Sequence, residues 1–168
     1  VLSFTTMPSI TSILLSPITL AYGGVVRARN WLFDKGYYKS IQFELPIINV
    51  GNLSYGGTGK TPHIEYLIRL ISPHFHVATL SRGYMRKTKG YFAATTDTTP
   101  EQVGDESQLI KWKYPQVGVS VGEDRVMAVP QLLTDWPNTE VLLLDDAFQH
   151  RSIDPGLNIL LTDYNKLY

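Results

Sequence analysis

No cysteine occurs in the 168 residues, which excludes disulfides and thiolate metal sites. That absence fits a reducing compartment. Net charge is missing too, because 15 basic and 15 acidic side chains cancel. A neutral chain lacks the basic footprint of a nucleic-acid binder, so no nucleic-acid partner is expected. Charged residues make up only 18%, below the usual quarter, and residues 1–26 hold none. A clear secretory signal is also lacking, since neither a basic start nor a small-residue cleavage site stands out. Nor is there a long unbroken apolar run. A spanning helix needs about 20 predominantly apolar residues. Ser16, Pro17, Thr19, Gly23 and Gly24 interrupt the one candidate. No repeat or low-complexity tract appears.

What is there is a hydrophobic fraction of 43%, enough for a core in one domain. The chain opens at Val1 rather than Met and stops soon after a strand-like run. A piece of a longer protein is therefore expected. Residues 1–36 read as an N-terminal amphipathic helix. Ser16 can cap it, Pro17 suits its first turn and Gly36 can stop it. Ile18, Ala21, Val25, Ala28 and Leu32 share one face, with Thr19, Gly23, Arg27, Asn30 and Asp34 opposite. Two readings stand side by side. The apolar face packs on the protein's own core, or the helix lies in a membrane interface with its arginines near anionic head groups.

From residue 37 to 168 the pattern is that of one α/β domain. Apolar runs at residues 46–50, 76–80, 117–121, 141–144 and 158–161 read as strands, with a short one at 91–94. Residues 62–71, 106–112 and 124–133 read as helices, the last kinked at Pro130, and residues 95–100 as a loop. Strands alternating with helices predict a mostly parallel sheet flanked by helices. Such sheets bind ligands at the carboxyl ends of their strands.

The strongest motif follows the first strand. Ser54-Tyr55-Gly56-Gly57-Thr58-Gly59-Lys60-Thr61 matches the P-loop pattern except at its first position, where Ser54 replaces glycine. Glycines let backbone N–H groups face phosphate oxygens. Lys60 is expected to reach the β and γ phosphates and Thr61 to ligate Mg²⁺. A strand before and a helix after supply the context that a chance glycine-rich turn lacks. Asp145 and Asp146 end the most apolar strand, where a metal-holding Walker B aspartate belongs. Alone, either is as readily a turn residue. Asp105 and Glu106 follow Gly104. They can simply begin a helix, or supply a base near the γ-phosphate. Ser81, Arg82, Gly83 and Tyr84 follow the second strand. Arg82, Arg86 and Lys87 can contact phosphate or an acidic lipid group, or be a solvated basic turn. Arg125 has the same two readings. His150 lies close to the acid pair, although a lone histidine is more often structural.

Together these segments resemble the tetraacyldisaccharide 4'-kinase family. The resemblance rests on Gly51-Asn52-Leu53 leading into Gly56-Gly57-Thr58-Gly59-Lys60-Thr61-Pro62, then Ser81-Arg82-Gly83-Tyr84 and Gly104-Asp105-Glu106. It rests most specifically on Asp145-Asp146-Ala147-Phe148-Gln149-His150-Arg151. It implies a P-loop kinase that transfers the γ-phosphate of ATP, with Mg²⁺, to the 4'-hydroxyl of a tetraacylated glucosamine disaccharide. The implied place is the cytoplasmic face of a Gram-negative inner membrane. The implied roles are phosphate binding for Lys60 and Thr61, metal binding for Asp145 and Asp146, and base for Asp105 beside Glu106. Ser81, Tyr84, Arg125, Gln149 and His150 match further active-site positions. Ala147 departs from a frequent glycine. The family is also longer, so a second domain, with a histidine that pairs with the base, is expected to be missing.

Rival readings make different demands. A membrane-associated nucleotide switch that recruits partners often has lysine before the double glycine, where this chain has Tyr55. A GTPase wants Asn-Lys-x-Asp, and Asn165-Lys166-Leu167 runs into Tyr168 instead. The blandest reading is an α/β domain with a degenerate site.

Overall fold

The computed structural model describes residues 10–52, 59–148 and 151–162. The chain divides into two units, Val1–Lys39 and Ser40–Tyr168.

The first unit contains helix α1, Ile10–Asp34. It begins upstream of the Ser16–Pro17 pair expected to start it. Its end is built by Gly36, whose φ of 74° lies in the left-handed region. Gly36 N–H donates to Phe33 O at 3.0 Å and Tyr37 N–H to Leu32 O at 2.9 Å. That is the Schellman closure, and it needs a residue without a Cβ penalty. Among the described residues no helix is long and apolar enough to cross a membrane.

The second unit is a sheet with helices on both faces. Its strands are β1 (Ile47–Asn52), β2 (Val77–Ser81), β3 (Phe92–Ala93), β4 (Gly118–Val121), β5 (Val141–Asp145) and β6 (Leu157–Leu161). Its helices are α2 (Lys60–Ile71), α3 (Pro100–Val103), α4 (Asp105–Lys113) and α5 (Arg125–Asp135). The sheet order is β3-β4-β2-β5-β1-β6. Every pairing is parallel except β3 with β4.

Side-chain alternation along β5 divides the core. Leu143 joins the cluster holding Ile64 and Ile68 of α2 and Ile110 of α4. Leu142 and Leu144 join Ala128, Val129 and Leu132 of α5 on the other face. A strand covered on both faces reads as a continuous apolar run, which is why residues 141–144 are Val-Leu-Leu-Leu. Burying one such side chain is worth about 1.5–3 kcal/mol. Asp124 starts α5 by accepting from the N–H groups of Val126 and Met127 at 3.0 and 3.2 Å. Asp124→Ala should cost about 1 kcal/mol, read as a lower midpoint in urea with an unchanged slope. The helix then continues through Pro130 to Asp135.

Candidate functional site

The sheet order places β5 between β1 and β2, with Val50 in register with Asp145. The strand that feeds the glycine-rich loop therefore ends beside the strand that carries the acids. Gly59 takes a φ of 78° at the start of α2, so Lys60 leaves from the helix's first turn. Lys60 Nζ donates to Asn52 Oδ1 at 3.2 Å and lies 3.5 Å from Asp146 Oδ2. Thr61 follows it in the same turn and is partly buried. Ser54, Tyr55, Gly56, Gly57 and Thr58 lie outside the described residues, as do Gln149 and His150.

The two acids differ sharply. Asp145 is 6% exposed, and its Oδ1 has no partner among the described residues. Burial pushes its carboxyl up to about 7, Glu106 and Asp146 add to the rise, and Lys60 and Arg125 oppose it. Asp146 is half exposed and holds a φ of 55°. A non-glycine residue there costs on the order of 1 kcal/mol or more and needs support from its surroundings. The support is visible. Asp146 N–H donates to Val50 O at 2.8 Å, and Ala147 N–H donates to Asn49 Oδ1 at 3.3 Å. Asn49 in turn donates to Asn158 Oδ1 at 2.9 Å, tying β1 to β6. Asn49 also lines a cleft of about 350 Å³ beside the acid turn, with Phe148, Arg151 and Asp154.

Arg125 is 1% exposed at the start of α5. Its guanidinium donates to Gly122 O, to Glu123 O at 3.3 Å and to Asp145 O at 3.4 Å. It thus joins the ends of β4 and β5. Burial lowers its pKa to about 10, with Asp145 and Asp146 pulling it up and Arg82 pushing it down. It remains a cation within the field of both acids.

Ser81 ends β2, and its hydroxyl lies 2.8 Å from that of Ser107 in α4. It also accepts from Gly83 N–H at 3.1 Å. Asp105 and Glu106 are exposed in the first turn of α4. Glu106 adds to the rise at the Asp145 carboxyl. Tyr84 is 78% exposed. Arg86 is not the exposed phosphate ligand that the sequence allowed. Its side chain is 3% exposed and bonds Glu123 Oε1 at 2.7 Å. Lys87 pairs with Glu101 at 2.7 Å on the surface.

Gly104 precedes these acids at a φ of 87°, and a Cβ there would meet Tyr84 O at 2.9 Å. Both strain and backbone contact therefore forbid a side chain. Gly104→Ala should cost roughly 1–3 kcal/mol, measured by thermal denaturation.

The residues fit a magnesium nucleotide. A buried carboxylate oxygen without a partner, set against a second acid and a lysine, is short of a cation. Among the described residues no three acids or histidines form a metal cage. Mg²⁺ does not ask for one, because it is commonly held by one or two carboxylates plus phosphates and water.

Sequence reasoning missed Asn49 and Glu123, and it gave Asn52 a place in the motif but not its bond to Lys60. Asn49 had a readable signal, as a single polar residue inside an apolar strand. Glu123 had none, because its partner Arg86 is brought to it by sheet order.

The family model described as tetraacyldisaccharide-1-P 4'-kinase matches residues 11–168. This chain belongs to that family. A tetraacyldisaccharide 4'-kinase from Bacteroides thetaiotaomicron is 52% identical over 92% of this chain and 41% of its own length. One from Porphyromonas gingivalis (strain ATCC BAA-308 / W83) is 50% identical over 91% of this chain and 43% of its own. The solved structure of LpxK from Aquifex aeolicus in complex with ATP matches with a TM-score of 0.81. It is 38% identical and covers 93% of this chain and 50% of its own. The chain thus spans less than half the length of these curated 4'-kinase relatives. The α/β architecture and mostly parallel sheet are those of a P-loop kinase.

Proposed function

We propose that the full-length protein transfers the γ-phosphate of ATP to the 4'-hydroxyl of a tetraacylated glucosamine disaccharide 1-phosphate. The observation that carries this is the meeting of Lys60 with the Asp145–Asp146 turn at the carboxyl end of β1 and β5, in a chain of this family. Lys60 offsets charge on the β and γ phosphates. Asp145, Asp146 and Thr61 would hold Mg²⁺, which would neutralise phosphate charge when bound. Asp105 takes the proton of the 4'-hydroxyl as its oxygen bonds to the γ-phosphorus and ADP leaves. Glu106 and Arg125 set the field around that step. Ser81, Tyr84, Gln149 and His150 complete the surroundings of nucleotide and sugar. Positioning and electrostatics supply most of the catalysis.

The same reading puts the protein on the cytoplasmic surface of a Gram-negative inner membrane. Support comes from α1, where Val25 and Trp31 are 67% and 52% exposed and Arg27 and Arg29 are exposed as well. Such a mixture suits a helix lying in a lipid interface.

The experiment uses full-length protein, labelled ATP, Mg²⁺ and tetraacyldisaccharide 1-phosphate in detergent micelles. Labelled lipid is expected. ATP hydrolysis that responds only to a protein partner would instead indicate a nucleotide switch. Asp105→Ala should lose roughly 10²–10⁴-fold in transfer with ATP affinity intact. Transfer near the wild-type rate would remove Asp105 as the base.

A further inference from the structure

We infer that Glu123 is a positioning residue, clamping the loop after β2 so that this loop holds the Asp105 turn in place. The inference rests on the reading of Asp105 as the base.

Residues 83–90 leave the carboxyl end of β2 and return towards β3. Their backbone is strained, with Met85 at a φ of 58° although it is not glycine. Nothing in this segment is a strand or helix. Its shape is fixed instead by side chains on two sides.

On one side stands Glu123, in the turn between β4 and α5. Its Oε1 accepts from Arg86 at 2.7 Å and its Oε2 from Gly90 N–H at 2.9 Å. Arg86 closes the ring by donating to Gly90 O at 2.5 Å and to Thr88 Oγ1 at 3.2 Å. One carboxylate therefore grips both ends of residues 86–90. Burial of Arg86 makes this a different bond from an exposed surface pair, which contributes little. An almost fully buried guanidinium needs its counter-charge. The same turn carries Gly122 O and Glu123 O, the anchors of Arg125.

On the other side the loop is fastened to α3 and packs on Gly104, the residue that caps α4. Lys87 N–H donates to Glu101 O at 2.7 Å, and Thr88 Oγ1 donates to Gln102 O at 2.5 Å. Tyr84 backbone lies against Gly104, the residue before Asp105. Loosening Glu123 thus frees a segment that buttresses the start of α4. A displacement of about 1 Å at a catalytic group can cost 10²-fold in rate.

Glu123→Gln in the full-length protein tests this. It keeps the side chain's shape and removes the charge. We expect kcat for transfer to fall roughly 10-fold, with the KM for ATP within about twofold of wild type. In an Asp105→Ala background the same change should alter the residual rate by less than about twofold, because the base it positions is gone. Equal losses in both backgrounds, or a wild-type kcat, would overturn the inference.

Hydrogen–deuterium exchange tests the clamp apart from the base. Glu123→Gln should speed exchange in residues 83–90 and in residues 101–106, and leave residues 126–135 unchanged. Faster exchange confined to residues 86–90 would sink the link to α4. A wild-type rate in Asp105→Ala alone would overturn the base assignment, and the exchange result would still decide whether the clamp reaches α4.

Discussion

Lys60→Ala in the full-length protein should lower transfer by roughly 10²–10³-fold and weaken ATP binding as well. Two structural facts set that expectation. Lys60 leaves the first turn of α2 directly after Gly59, where the helix's positive end already favours phosphate. Its ammonium is held by Asn52 and Asp146 at 3.2 and 3.5 Å, so it is aimed at the acid turn. Stability should barely change. Lys60 and Asp146 are 20% and 52% exposed, and pairs of that kind contribute about 0–1 kcal/mol. Steady-state kinetics against ATP, with a thermal scan beside them, separate the two effects. Unchanged affinity and turnover together would contradict the P-loop assignment.

The same residues show how much of the site was legible beforehand. Lys60, Thr61, Asp145 and Asp146 were readable as candidates because they are marked locally, by a glycine-rich loop and by acids at the end of an apolar run. Strands β1, β2, β4 and β5 were readable for a related reason, since burial on both faces leaves a largely apolar run. The start of α1 was read too late, because Ser16 and Pro17 form a good cap yet the helix already runs from Ile10. Helix α3 escaped notice, being a four-residue turn whose capping box, Thr99 with Gln102, is its main signal. Arg86 was misread as a free cation because its partner, Glu123, lies 37 positions along the chain. Only the pairing of β2 with β4 brings them together. Local chemistry is written in the sequence, whereas contacts across the sheet depend on strand order.

Asp145→Asn should abolish transfer while making the nucleotide-free protein more stable. The carboxylate is 6% exposed, with one oxygen unpartnered among the described residues. Burial raises its pKa to about 7, and Glu106 and Asp146 raise it further than Lys60 and Arg125 lower it. Ionisation there is unfavourable in the fold, and an amide of the same shape removes that cost. Arg125 donates to the backbone oxygen of Asp145, so the substitution leaves this bond in place. A gain of about 1–3 kcal/mol follows from relieving one badly solvated buried group. In a domain of about 150–250 residues that is a rise of about 2–4 °C in Tm per kcal/mol. Adding ATP and Mg²⁺ should reverse the ranking. A ligand that binds only the folded state stabilises it by mass action, and the variant lacks the charge that holds the cation. Thermal scans of both proteins, with and without ATP and Mg²⁺, give the four numbers needed. A variant less stable than wild type alone, yet equally stabilised by the magnesium nucleotide, would show that Asp145 is a structural carboxylate and that the metal is held elsewhere. The expected crossing instead marks a residue whose fit to the fold is poor because its partner is the ligand.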